Sequence, residues 1–168
     1  MGALSQPRRQ IMPYPNQARP RLDAGRTQGA GQPAALPPIH LMAGDKMHPD
    51  LLTTTAEKCA KKIMQPGKTM LTRHQLRRFY SDVKSLEKRV RERPDGFEEF
   101  WPLVGMLKAK VAYASDPKKP KIPKVFKDFI DRCVDQIEKD RKRFLVFCKF
   151  FEAVVGYLYG EGIAEQQR

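Results

Sequence analysis

Residues 72–93 read TRHQLRRFYSDVKSLEKRVRER. Leu76, Phe79, Tyr80, Val83, Leu86 and Val90 recur every three or four positions, the apolar stripe of an amphipathic helix. Thr72 followed by Gln75 is a capping box, in which each side chain satisfies a backbone N–H at the helix start. Pro94-Asp95-Gly96 marks the break at the other end. The remaining face is basic. Arg73, Arg77, Lys84, Lys88 and Arg91 fall within about 60° on a helical wheel, with Glu87 at the border near the apolar seam. The stripe runs for about 27 Å at 1.5 Å per residue, enough to lie beside several consecutive phosphates.

The same period extends from Lys46 onward, and no stretch alternates convincingly as a strand. A first helix is expected over about Asp50–Met64, capped by Asp50, with Leu52, Ala56, Cys59 and Ile63 on one face and Gln65-Pro66-Gly67 as its stop. The segment just read is the second. A third is expected over about Gly96–Ala114, with Phe100, Leu103, Val104, Leu107 and Val111 inward; Pro102 fits only its first turn or else kinks it. Gly105, Met106, Ala109, Ala112 and Tyr113, opposite, are small or apolar. That helix is therefore either buried all round or meets another subunit. After a Pro- and Lys-rich loop over 115–123, a fourth helix to about Glu138 buries Phe126, Phe129, Ile130, Cys133 and Ile137. The fifth, about Asp140–Tyr159, is apolar nearly all round, as befits a central helix or a subunit contact, with Gly160 as its C′ residue. The fold class is all-α: a compact bundle of about five helices, residues 46–168, preceded by an arm over residues 1–45. The arm holds seven Pro and five Gly and a net charge of +3. It has too little apolar surface to offset chain entropy, so it is expected to be disordered.

The chain has 168 residues, and 32 Lys and Arg against 19 Asp and Glu give a formal charge of +13. Such an excess suits a polyanionic partner, a nucleic acid or an anionic surface. No apolar run reaches the roughly 18 residues of a membrane span, and the N-terminus lacks the apolar core of a secretion signal. Cys59, Cys133 and Cys148 fall in apolar patterns and read as small core residues of a reducing cytoplasm.

Catalytic constellations are missing. His40, His48 and His74 are scattered, and there is no glycine-rich phosphate loop, nucleophile elbow or HExxH. Asp128, Asp131, Asp135 and Glu138 lie within about 80° on the outward face of the fourth helix. They read as a solvated acidic face able to dock on a basic neighbour, not as a metal site, because converging partners are lacking. No cofactor and no metal are implied. Basic residues are better organised. Residues 58–93 carry a net +9, and Lys108, Lys110, Lys118, Lys119, Lys121, Lys124 and Lys127 against Asp116 a net +6. Few aromatics stand among them, which favours backbone tracking over base stacking.

Three strings carry a resemblance: Leu71-Thr-Arg-His-Gln-Leu-Arg-Arg-Phe-Tyr80, Leu107-Lys-Ala-Lys-Val-Ala-Tyr-Ala114, and Phe144 through Gly160 (FLVFCKFFEAVVGYLYG). In order and spacing they resemble the small helical subunit of type III-A CRISPR effector (Csm) complexes, over roughly residues 50–160. The resemblance implies a non-enzymatic, cytoplasmic RNA-binding subunit of antiviral defense. Its copies would stack head to tail along guide RNA and target RNA, beside the backbone and large subunits. It also implies that Arg73, Arg77, Arg78, Lys108 and Lys110 line the RNA channel; the helical wheel adds Lys84, Lys88 and Arg91, and the loop adds Lys118 and Lys119. The alternative from another class is a small basic helical DNA-binding regulator, which would need an exposed recognition helix.

Overall fold

Gly2 and residues 35–163 are described by the computed structural model of the chain. Residues 35–163 fall within one compact unit, Pro33–Arg168. Its helices are α1 (Ala56–Ile63), α2 (Arg73–Glu92), α3 (Phe97–Ala114), α4 (Lys124–Asp135) and α5 (Arg141–Gly160). A π-helical turn, Leu51–Thr55, leads into α1, and a 3-10 turn, Pro94–Gly96, leads into α3. The bundle is all-α in class, but a small hairpin precedes it. Strand β1 (Met42–Ala43) pairs antiparallel with β2 (Lys46–Met47) around Gly44, whose φ of 60° suits glycine. Two-residue strands are too short to show any alternation, so periodicity does not reveal them.

The caps explain where the helices start and stop. Thr72 and Gln75 form the reciprocal capping box of α2, with Gln75 N donating to Thr72 Oγ1 at 3.3 Å and Thr72 N to Gln75 Oε1 at 2.9 Å. Asp140 caps α5, accepting from Arg143 N at 2.8 Å. Asp50 makes no side-chain cap; its own N–H donates to His48 Nδ1 at 3.3 Å. The π turn begins there instead. Its wider winding brings Leu51, five residues before Ala56, into the core, and leaves Leu52 half-buried. Gly160 is the last residue of α5, not its C′. That position belongs to Gly162, at φ 78°, where Ile163 N bonds Leu158 O and Gly162 N bonds Tyr159 O, each at 3.1 Å. This is a Schellman motif, and buried Ile163 packs with it. The fourth helix ends at Asp135, earlier than the expected Glu138, and Glu138 and Lys139 both adopt left-handed φ in the turn to α5. Pro102 lies inside α3 beyond the first turn, on the exposed side.

Helix α5 is central: it packs on α1, α2 and α4 and buries nine side chains. Phe151 is the aromatic hub, with ring centroids 5.9 Å from Phe79, 6.4 Å from Phe126, 6.2 Å from Phe129 and 6.0 Å from Phe147. Each such ring contributes roughly 2–3 kcal/mol by leaving water. The inward residues expected on α4 are all buried, Phe126, Phe129, Ile130, Cys133 and Ile137. On α3, Phe100, Val104, Leu107 and Val111 are buried but Leu103 is 40% exposed, because it sits at the edge of the stripe. All three cysteines are free and buried; burial pushes the Cys59 thiol up to about 12 and raises Cys133 and Cys148 as well.

The expected arm over residues 1–45 lies outside the described residues up to 34, Gly2 apart. Its last part does not behave as an arm. Leu36, Ile39 and Leu41 are buried in the core. Gln136 of α4's C-terminal cap holds this segment, its Oε1 accepting from Leu41 N at 3.0 Å and its Nε2 donating to Ile39 O at 2.9 Å. Arg132 NH1 donates to Leu36 O at 3.4 Å. The prolines that suggest disorder flank apolar residues whose partners lie about a hundred positions away, which local composition does not show.

Candidate nucleic-acid interface

The basic face of α2 divides into parts with different surroundings. At its start, Arg73 lies with its guanidinium carbon 5.6 Å from the Tyr159 ring centroid and donates to Ile163 O at 3.3 Å. Arg73 thereby ties α2 to the end of α5. Exposed Arg77 donates through Nε to Tyr159 Oη at 3.2 Å. Farther along, Lys84 lies 2.7 Å from Glu87 and 3.3 Å from Glu152. Arg91 donates to Glu87 Oε1 through Nε at 2.9 Å and NH2 at 2.6 Å, and Lys88 lies 3.8 Å from Glu92.

The stripe is therefore not of one sign. Glu87 is only 5% exposed and sits beneath it. Positions 84, 87 and 91 are three and four residues apart, so the long basic stems fold over the carboxylate between them. Burial opposes ionisation of Glu87, but the hydrogen bonds and charges of Lys84 and Arg91 outweigh it and hold the carboxyl below its usual range. The Lys84 ammonium is raised chiefly by its hydrogen bond to Glu87.

A second face of the same helix lines a groove of about 670 Å³ with the end of α3 and the loop into α4. His74, Arg78 and Asp82, four residues apart, come from α2; Lys110 and Tyr113 come from α3, and Lys121 from the loop. The floor is apolar, with Phe79, Val111, Ile122 and Phe126 buried. Arg78 is exposed and forms no ion pair among the described residues. Lys110 Nζ lies 2.7 Å from Asp82 Oδ2, so its charge is shared. Lys121 Nζ stands 5.2 Å from the centroid of the Tyr113 ring, and Tyr113 is 77% exposed.

Of the ten basic residues that the sequence offers as RNA ligands, the groove brings together only Arg78 and Lys110. Lys108 reaches the other way from α3, to Asp135 of α4 at 2.7 Å. Lys118 and Lys119 are exposed in the loop, where their backbone N–H groups bond Asp116 at 2.9 and 3.1 Å. His74, Tyr113 and Lys121 are not among those ten. The signal for Tyr113 is its place off the apolar stripe of α3, next to a lysine-rich loop; it answers the apparent lack of aromatics among the basic residues.

The acidic face of the fourth helix also changes character. Asp128 pairs with Lys124 at 2.6 Å, Asp131 with Lys127, Asp135 with Lys108 at 2.7 Å, and Glu138 with Arg143 at 2.6 Å. All four carboxylates are neutralised within the chain, so the expected bare acidic docking face is corrected to an ion-paired one. Among the described residues no group of three or more His, Cys, Asp or Glu could hold a metal ion, and no helix is long and apolar enough to cross a membrane. The outward face of α3 is exposed, not buried: Met106 is 50% exposed, and Gly105, Ala109 and Ala112 are exposed with it. Buried α5 cannot serve as an exposed recognition helix.

These features define a small, basic, mainly helical protein with a groove that is cationic and partly aromatic. The family model Csm2 Type III-A matches residues 46–160, more than half of the chain. The chain belongs to this family and is a small subunit of a type III-A CRISPR Csm complex. Neither curated proteins nor solved structures give a significant match.

Proposed function

We propose that the chain is a non-catalytic RNA-binding subunit acting in the cytoplasm. It grips the phosphate backbone of the guide RNA–target RNA duplex, alongside further copies of itself and the backbone and large subunits of the complex. The observation that supports this reading best is the groove between α2 and the α3–α4 loop, where Arg78 and Lys121 have no carboxylate partner among the described residues, in a chain of charge +13. Sequence-independent phosphate contacts release counterions, so affinity falls steeply with salt. Lys84, Lys88, Arg91, Lys108 and Lys110, each beside a carboxylate, and Arg73 and Arg77, which donate to Ile163 O and Tyr159 Oη, contribute more weakly; Lys118 and Lys119 add exposed cations from the loop. Copies add along the RNA because each neutralises further phosphates, not through the paired carboxylates of α4.

Gel-shift titrations test this. Arg78→Glu with Lys121→Glu should weaken all RNA sequences alike, and by more than Lys84→Glu with Lys88→Glu does. The salt slope should fall by about one for each phosphate left without its cation. Preference for one sequence that survives high salt, or for double-stranded DNA over RNA, would overturn the reading.

A further inference from the structure

We propose that the groove holds one unpaired RNA nucleotide, its base stacked on the face of Tyr113 turned away from Lys121 and its phosphate held by Arg78 and Lys121. The inference rests on the RNA-binding reading and names the ligand of that same site. Tyr113 is the most exposed large apolar side chain among the described residues, at 77%. It stands in the last turn of α3, with Lys121 Nζ 5.2 Å over its ring.

The backbone that carries the cation is held in place. Lys121 N and Ile122 N both donate to Ala114 O, at 2.8 and 3.1 Å, and Gln75 Nε2 donates to Lys121 O at 2.7 Å. Gln75 is also the capping residue of α2, so the helix that carries Arg78 and the loop that carries Lys121 share one fixed point. An aromatic face beside cations is how single-stranded nucleic acid is bound without sequence preference. A fully paired base offers no free π face, since its neighbours cover both sides, so the ligand is an unpaired nucleotide. The volume, about 670 Å³, lies within the usual range of small-ligand sites.

The full chain would be titrated at low salt with three oligoribonucleotides. One is a single strand with one 2-aminopurine and every other position abasic; the second is the same strand abasic throughout; the third is a fully paired duplex. Tyr113→Ala should weaken binding of the 2-aminopurine strand by about tenfold and abolish the quenching of 2-aminopurine, while Tyr113→Phe retains both. The abasic strand should bind the wild type about tenfold more weakly than the 2-aminopurine strand, and should bind Tyr113→Ala no more weakly still, because both changes remove the same stacking. Duplex binding should be the same in all three proteins. The exposed position makes the alanine variant a surface change. Equal binding of the 2-aminopurine strand by wild type and Tyr113→Ala would overturn the nucleotide site, and the RNA-binding reading would stand if the duplex still bound. Failure of the wild type to bind either RNA would overturn both.

Discussion

Glu87 shows how far one side chain can redirect a surface. It is a carboxylate 5% exposed, clasped by Lys84 and Arg91, beneath the basic face of α2. Its cationic partners are about half exposed, so solvent screens the pair and its worth lies below that of a fully buried one. Glu87→Gln should cost about 1–2 kcal/mol in denaturant unfolding, since the guanidinium keeps only a neutral acceptor. The pH dependence has a definite sign. A carboxyl whose folded pKa is lowered contributes stability above its unfolded value, near 4.3, and loses it as pH falls through the folded value. The difference between wild type and Glu87→Gln should thus be full at pH 6 and shrink below about pH 4. A gap that widened on acidification would refute this role. Held by this carboxylate, Lys84 and Arg91 have less free charge to offer a phosphate than the wheel suggests.

At the level of elements, α3 carries two lysines with opposite assignments. Lys108 joins it to α4 through Asp135 and Lys110 joins it to α2 through Asp82, each at 2.7 Å. Two residues apart on a helix, they point about 200° from one another, so one element is braced on both flanks. Asp82 is the single acid among the described residues that line the groove. Asp82→Asn should release Lys110 toward a phosphate and tighten RNA binding about three- to tenfold at low salt, the worth of about 1 kcal/mol. Helix stability should change by less than about 0.5 kcal/mol, as the pair is exposed. Unchanged or weaker RNA binding by Asp82→Asn in the titration would argue that the groove does not meet phosphate. The outward side of α3 is a different surface. Met106 lies there among small exposed residues, so within this chain the helix is not buried all round, and a contact with another subunit is the reading that is left.

For the molecule as a whole, the domain begins earlier than its helices. Leu36, Ile39 and Leu41 close over the core, and Gln136 and Arg132 fasten them to the end of α4. Leu41 is 1% exposed, so Leu41→Ala should cost about 2–4 kcal/mol, as large-to-small changes in a packed core do. Thermal or denaturant unfolding would measure it. A loss under about 0.5 kcal/mol would mean that this segment rests on the surface without contributing to the fold. The paired carboxylates of α4 bear on assembly at the same scale. With their charges already satisfied inside the chain, they leave little attraction for a neighbouring copy, and exposed ion pairs are worth only tenths of a kcal/mol in any case.

The helices were legible in the sequence because a helix is a local object. A stripe such as Leu76, Phe79, Val83, Leu86 and Val90, a box such as Thr72 and Gln75, and a break such as Pro94-Asp95-Gly96 all act within a few residues. The same locality made the positive charge and the buried cysteines readable. It failed at the π turn before α1, where winding shifts the buried position from Leu52 to Leu51, and at the end of α5, where Gly162 and not Gly160 turns left-handed. Of the candidate interface, Arg78 and Lys110 were visible, but their meeting with Tyr113 and Lys121 was not. The groove is made from α2 and, nearly thirty residues further on, the end of α3 with the loop that follows it, and a helical wheel has no knowledge of which neighbour faces it. Tertiary packing alone decided that Lys84 meets Glu152 across 68 positions and that Leu41 meets Gln136 across 95. Charge partners and groove walls are set by which faces the core draws together, because hydrophobic burial fixes the helices first and the long polar side chains then reach whatever lies within a few ångströms.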